Sequence, residues 1–292
     1  MNKEEKQKRI AQIEELMVAP DFWQDSQKAQ GQIAEMQELK ADLESGSKYA
    51  ARPALISIYA GAGGDDAEDF VRILFEMYQN FCAQKNIDLH ILESSPNELN
   101  GYRSIAGRVG AKGAYGQLMF ETGVHRLVRI SPFNSKGKRQ TSFALVEVLP
   151  EIASAEYEMD ESELDITFTT SGGAGGQNVN KRETAVRIVH PKTGFSVFVS
   201  QERTQERNRE LALSMMRAKL FTKHQEDEEK ISQGLSISDK VSIEWGSQMR
   251  SYVFDPYQLV KDHRTNIEIR NVNKVLGGDF QELTQPLRDK AE

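Results

Sequence analysis

Gly172, Gly173, Gly175 and Gly176 surround Ala174 and lead directly into Gln177, within the segment SGGAGGQNVN at 171–180. No histidine, cysteine or carboxylate stands in that segment. Its chemical resources are therefore main-chain N–H groups and the Gln177 amide. Glycine permits positive φ and lets backbone approach a ligand closely, so such a loop can surround an anion or a developing oxyanion without any titratable group. The pattern points to binding or transition-state chemistry rather than to a metal centre or a nucleophilic triad. A nucleotide phosphate loop would continue Gly-Lys-Ser/Thr, whereas Gln177, Asn178 and Val179 follow Gly176.

A second concentration of chemistry is positive charge. The chain has 292 residues with 37 basic and 44 acidic side chains, a formal net charge of -7. That balance excludes a protein coated in basic residues. Between Glu121 and Glu147, however, there is no acid at all, and Arg126, Arg129, Lys136, Lys138 and Arg139 fall in that window. A local basic face on an acidic body suits one docked phosphate-rich partner. Charged residues make up 28% of the chain, mean hydropathy is -0.57, and no apolar run reaches membrane-spanning length. A cytoplasmic protein without membrane association is expected. The single Cys82 lies in an apolar-periodic stretch, which predicts a buried structural thiol.

The elements that must position these groups follow from periodicity. Ile10, Ile13, Leu16 and Met17, then Ile33, Met36, Leu39 and Leu43, recur at helical spacing around Pro20 and Asp21, which predicts a helical hairpin. ALISIYA reads as a strand and GAGG as a tight turn. A helix then begins at Asp65 and Asp66 with the apolar stripe Phe70, Ile73, Leu74, Met77, Tyr78 and Phe81. Acids in its first turn suit the helix dipole and make the GAGG turn a poor phosphate cradle. DLHILES, YRSIAGRV and TSFALVEV read as strands, so this region is an α+β sheet with packed helices. Beyond the acidic stretch 151–163, LDITFTT, TAVRIVH and FSVFVSQ read as further strands, followed by a long helix from about Thr204 to Lys230. The remaining tail forms a third piece that returns to the first α+β region.

The run GGAGGQNVNKRETAVRIVHPKTG resembles the GGQ domain of bacterial class-I peptide chain release factors. The resemblance extends in order through ETGVHRLVRISPF, RQTSF, WGSQMRSYV and PYQLVKDHRT. Ser131-Pro132-Phe133 is similar to the codon-reading SPF motif of the release factor 2 type, which decodes UAA and UGA. Fold and function then follow as implications. The resemblance implies a multidomain α+β protein: a shortened N-terminal helical domain at 1–48, a codon-recognition superdomain at 49–157 and 246–292, and a β-rich GGQ domain with one long helix at 158–245. It implies recognition of the stop codon on the ribosome and promotion of peptidyl-tRNA hydrolysis, with no cofactor and no metal. The isolated chain would not be a stand-alone hydrolase.

The site residues implied by the resemblance are Gly175, Gly176 and Gln177 for hydrolysis, with Gln177 also the target of N5-methylation by a glutamine methyltransferase. Codon recognition falls to Ser131, Pro132, Phe133, Gln140, Thr141, Gly63 and Asp66. The Ser131 hydroxyl both donates and accepts, which suits a reader of either purine. Pro132 fixes the backbone and Phe133 offers apolar packing. Trp245 aligns with the switch-loop tryptophan. Gln140 stands where the family usually has a stacking histidine, Asp66 where glutamate is frequent, and Thr170 where arginine is frequent. Implied partners are the decoding and peptidyl transferase centres, the mRNA stop codon, P-site peptidyl-tRNA and a class-II release factor GTPase. The alternative is a codon-independent ribosome-rescue hydrolase, which shares the GGQ loop but lacks a codon-reading domain. An RNA-binding regulator without catalysis would require a disabled loop.

Overall fold

A computed structural model of the chain describes residues 3–18, 32, 36, 49–153, 157–170, 183–232 and 248–291. The first expected helix is present as α1 (Lys3–Val18), which buries Ile10 and Ile13. The second arm of the expected hairpin lies outside the described residues, apart from Gln32 and Met36. The rest is built on two sheets, of eight and three strands.

The large sheet begins with β1 (Ala54–Ala60), the expected ALISIYA strand. Its apolar residues are nearly continuous because both of its faces are covered. Ile56 and Ile58 enter one apolar cluster, while Leu55 enters the other. α2 (Asp65–Gln84) follows and packs its stripe of Phe70, Leu74, Met77, Tyr78 and Phe81 on the first face. Burial of each such large side chain contributes roughly 1.5–3 kcal/mol. Cys82 is buried beside them as expected, and burial pushes its thiol up to about 11, which leaves it inert.

β2 (Leu89–Pro96) and β3 (Tyr102–Val109) form a hairpin against β1. A short helix α3 (Ala114–Leu118) and one 3₁₀ turn ending at Glu121 lead into β4 (Gly123–Ile130). β5 (Arg139–Pro150) then returns antiparallel to it. The small sheet comprises β6 (Asp165–Thr169), β7 (Ala185–His190) and β8 (Phe195–Val199). The long helix α4 (Gln205–Ser232) packs on it. Met216 and Ala212 of α4 share an apolar cluster with Leu55, Leu92, Ala106 and Leu149 from the second face of the large sheet. Lys219 of α4 pairs there with Glu147 of β5.

After α4 the chain returns to the first sheet, as the tail was expected to do. β9 (Arg250–Val253) runs parallel to β4, and β10 (Leu259–Asp262) and β11 (Glu268–Ile269) extend the edge. α5 (Val272–Leu276) and α6 (Gln281–Ala291) close the first core through Val272, Val275 and Leu283, with Phe280 of their connection between them.

A buried charge network locks this return. Arg250, fully buried, donates to both Glu121 oxygens at 2.6 and 2.8 Å and to Asp262 at 3.2 Å. Arg264 donates to the same Asp262 oxygen at 2.8 Å, and the Tyr78 hydroxyl donates to Glu121 at 3.1 Å. Opposite charges paired through two hydrogen bonds offset the cost of removing each from water. His125 Nε2 donates to the Glu121 carbonyl oxygen at 3.0 Å, which assigns the tautomer, and Nδ1 faces the Tyr252 hydroxyl at 3.3 Å. Burial and the neighbouring Arg250 guanidinium push His125 down to about 4, so it is neutral at pH 7. The inner end of β4 is thereby fixed in three directions.

Candidate functional site

The basic window read from the sequence is the outer end of the β4–β5 hairpin. Arg129 pairs across from Gln140, Val128 from Thr141 and Ile130 from Arg139. The connecting loop is shaped by its own backbone: Ser131 N–H donates to the Lys138 carbonyl at 3.3 Å, and Gly137 N–H to that of Asn134 at 2.9 Å. Gly137 has φ 58°, a conformation that glycine adopts without steric cost. Ser131 is 4% exposed, and its hydroxyl oxygen accepts the Phe133 N–H at 3.2 Å. That local bond fixes the backbone at Phe133, a residue that is 37% exposed. Pro132, Lys136, Lys138, Arg139, Gln140 and Thr141 are all exposed around it.

The start of α2 meets this hairpin. Gly61 N–H donates to the Phe143 carbonyl at 2.8 Å, and Phe143 N–H to that of Ala62 at 2.9 Å. Gly63 then lies at φ 137°, and a Cβ there would stand 2.8 Å from the Ser142 hydroxyl oxygen. Only glycine fits. The turn therefore works as a close approach of backbone to β5, which accounts for Gly63, while Gly64 sits in open space at φ 57°. Asp65, Asp66 and Glu68 occupy the first turn, where carboxylates meet the positive end of the helix dipole.

One side chain joins the two elements. Arg129 donates to Asp66 at 3.0 and 3.3 Å and pairs with Asp69 at 2.7 Å, while its guanidinium carbon lies 5.9 Å from the centroid of the Phe133 ring. Asp66 is 6% exposed. Asp69 is shared with Arg72, whose Nη2 donates to it at 2.7 Å. From the other side Asn97 donates to Glu68 at 2.6 Å, so the β2–β3 turn supports the same helix end. Gly63, Asp66, Ser131, Phe133, Gln140 and Thr141 thus converge on one end of the sheet.

Arg129 appears in the sequence as one of five basic residues and nothing there sets it apart. Asp66 and Asp69, three apart on one helix face, were the signal for a buried cation, but its source lies 63 positions away. Gly175, Gly176, Gln177 and Trp245 lie outside the described residues. The chain enters that glycine-rich segment from β6 and leaves it into β7, with Thr169 paired to Ala185 as the last rung.

Among the described residues no helix is long and apolar enough to cross a membrane. Residues 30–146 match the PCRF domain family and residues 153–264 match the RF-1 domain family. The sequence is 45% identical over 248 residues to peptide chain release factor 2 of Clostridium perfringens, covering 84% of this chain and 68% of that protein. It is 37% identical to peptide chain release factor 2 of Staphylococcus saprophyticus, covering 95% of this chain and 88% of the other. The fold is similar to that of RF2 of Thermus thermophilus, with a TM-score of 0.75, 31% sequence identity, and coverage of 98% of this chain and 95% of that one. With a basic hairpin loop and a helix start joined through one arginine, and with both domain families matched in order, the chain belongs to the peptide chain release factor 2 family of translation-termination factors.

Proposed function

We propose that this chain reads UAA and UGA stop codons in the ribosomal decoding centre and promotes hydrolysis of the P-site peptidyl-tRNA ester in the peptidyl transferase centre. The observation that carries the reading is the Arg129 junction, which holds Asp66 of α2 and Phe133 of the hairpin loop in one cluster. A codon is read by several groups at once, so the elements that carry them must keep a fixed relation. Gly63 and Asp66 serve the first base. The Ser131 hydroxyl meets the second, where its ability to donate or accept tolerates both A and G. Phe133 and Pro132 shape the surface, and Thr141 and Gln140 flank it. Glutamine at 140 offers an amide plane and hydrogen bonds in place of an aromatic face.

In the hydrolytic step water attacks the ester carbonyl, negative charge grows on the carbonyl oxygen, one proton of the water passes to the departing ribose oxygen, and the other goes to solvent as the peptide carboxylate forms. The Gln177 backbone N–H stabilises the oxyanion and its side chain shapes the pocket for water, while Gly175 and Gly176 keep the backbone accessible. Ribosomal RNA supplies the rest of the site, so the chain alone is a poor esterase. Trp245 couples codon reading to placement of this loop. We assign 1–48 to a helical domain, 49–157 with 246–292 to codon recognition, and 158–245 to hydrolysis. A glutamine methyltransferase acting on Gln177 and a class-II release factor GTPase complete the partners.

The test is release of labelled peptide from purified ribosomes programmed with UAA, UGA, UAG, a sense codon or an empty A site. Release on UAA and UGA alone is expected. Release on an empty A site without codon preference would assign the chain to ribosome rescue and overturn this reading.

A further inference from the structure

Asn208 lies in the first turns of α4, where the helix has its own cap: the Thr204 hydroxyl oxygen accepts the Arg207 N–H at 3.4 Å. Asparagine is a poor helix residue at such a position unless its side chain is used elsewhere. Here the side chain is fully buried. Its Nδ2 donates to the Thr184 carbonyl at 2.8 Å and to the Glu202 carbonyl at 3.0 Å, and its Oδ1 accepts the Glu202 N–H at 3.0 Å. One helical turn earlier, Gln205 Nε2 donates to the Glu183 carbonyl at 2.8 Å. Two side chains on one helix face therefore hold two consecutive carbonyls. Those carbonyls belong to the residues between the glycine-rich segment and β7, whose first residue is Ala185.

Neither contact is needed to close the small sheet, which is paired from Thr169↔Ala185 to Asp165↔Val189 by its own ladder. Neither builds the apolar cluster under α4, which uses Ala212, Leu213, Met215 and Met216. What the two amides do fix is the backbone at Glu183 and Thr184, which follow the segment that carries Gln177, and Asn208 ties it to the Glu202 backbone just before α4. A loop that works through backbone N–H groups has no side chain to correct its aim, so its stem must be set from outside.

We propose that Asn208 and Gln205 are positioning residues for the hydrolytic step. They act through the Glu183 and Thr184 carbonyls to aim the Gln177 backbone at the ester. The inference rests on the functional reading given above. Asn208→Asp keeps the shape of the side chain but replaces the donor by an oxygen facing two carbonyls, and Gln205→Ala removes the second donor at an exposed position.

The experiment measures kcat and KM for peptide release by the full chain on UAA-programmed ribosomes, with the unfolding midpoint recorded for each variant. Misplacement of reacting groups by about 1 Å costs on the order of 100-fold, so Asn208→Asp is expected to lower kcat roughly 10- to 100-fold with KM within about twofold. Gln205→Ala should lower kcat in the same direction by about three- to tenfold, for one hydrogen bond. A merely structural role would lower the unfolding midpoint and leave kcat at saturating factor unchanged. If Asn208→Asp does not fold, Gln205→Ala decides alone. Wild-type kcat in Gln205→Ala, or a loss carried by KM only, overturns the proposal. Failure of the unmodified chain to release on UAA or UGA would instead overturn the functional reading and this inference with it.

Discussion

The two ends of β4 are both held by arginine, yet in opposite ways. At the inner end Arg250 and Asp262 are fully buried, Glu121 is nearly so, and every charge is paired. At the outer end Arg129 meets Asp66 and Asp69 at the rim of the core, beside an exposed Phe133 and an exposed basic loop. Apart from the partly exposed Arg264, the inner network has no surface to offer and serves to fix the strand. The outer one presents what the inner one steadies. A buried ion network specifies geometry, while a rim network of the same residue types can also be read by a partner.

That contrast is broken most severely at the inner end. Arg250→Ala strands the Glu121 and Asp262 carboxylates in the core, and removing one member of a buried pair costs about 3–5 kcal/mol. Denaturant unfolding should show that loss, with codon selectivity preserved in whatever folds. A near-wild-type midpoint would mean that water compensates and that the network is not the anchor of β4.

Acid sharpens the same comparison. His125 has a folded value of about 4 against an ordinary 6.5, so its neutral form is favoured by folding. The unfolded chain binds the extra proton, and stability present in full above pH 6.5 is lost progressively as pH falls from 6.5 toward about 4. The loss from this one group is on the order of 3 kcal/mol. His125→Gln cannot titrate, and its stability curve should lack that share of the slope. An unchanged slope would remove His125 from the account.

At the outer end the expected effects are smaller and functional. Arg129→Met frees Asp66 and separates the helix start from the Phe133 loop. The cost of an unpaired carboxylate at a partly solvated rim is about 1–3 kcal/mol. It should appear as a rise of roughly 5- to 150-fold in the factor concentration needed on UAA, with kcat at saturation retained. Equal losses on stop-codon and sense-codon ribosomes would show that Arg129 only stabilises the fold.

Much of this was legible in the sequence where periodicity is strong. The α2 stripe from Phe70 to Phe81 and the apolar run of β1 read correctly because local period and burial agree. β4 was hidden: Arg126 and Arg129 interrupt its apolar residues, so it reads as a charged window rather than a strand. The partner of Asp66 lies 63 positions away and that of Glu121 lies 129 away, and no local pattern encodes such pairings. Asn208 is concealed for a different reason. Within a long helical pattern an isolated asparagine reads as a tolerated surface residue, and only the backbone groups of Thr184 and Glu202, brought to it by the fold, give it a purpose.

The central claim is that codon reading and ester hydrolysis are separate in this chain, the first placed by the Arg129 junction and the second by a backbone loop at Gln177. The direct test compares Gly176→Ala with the unmodified chain on the same UAA-programmed ribosomes, recording binding and peptide release together. The account predicts binding within about twofold and release lowered by roughly 100-fold or more, the scale of losing one preorganised oxyanion donor. Full release by Gly176→Ala, or binding lost in step with release, would contradict it.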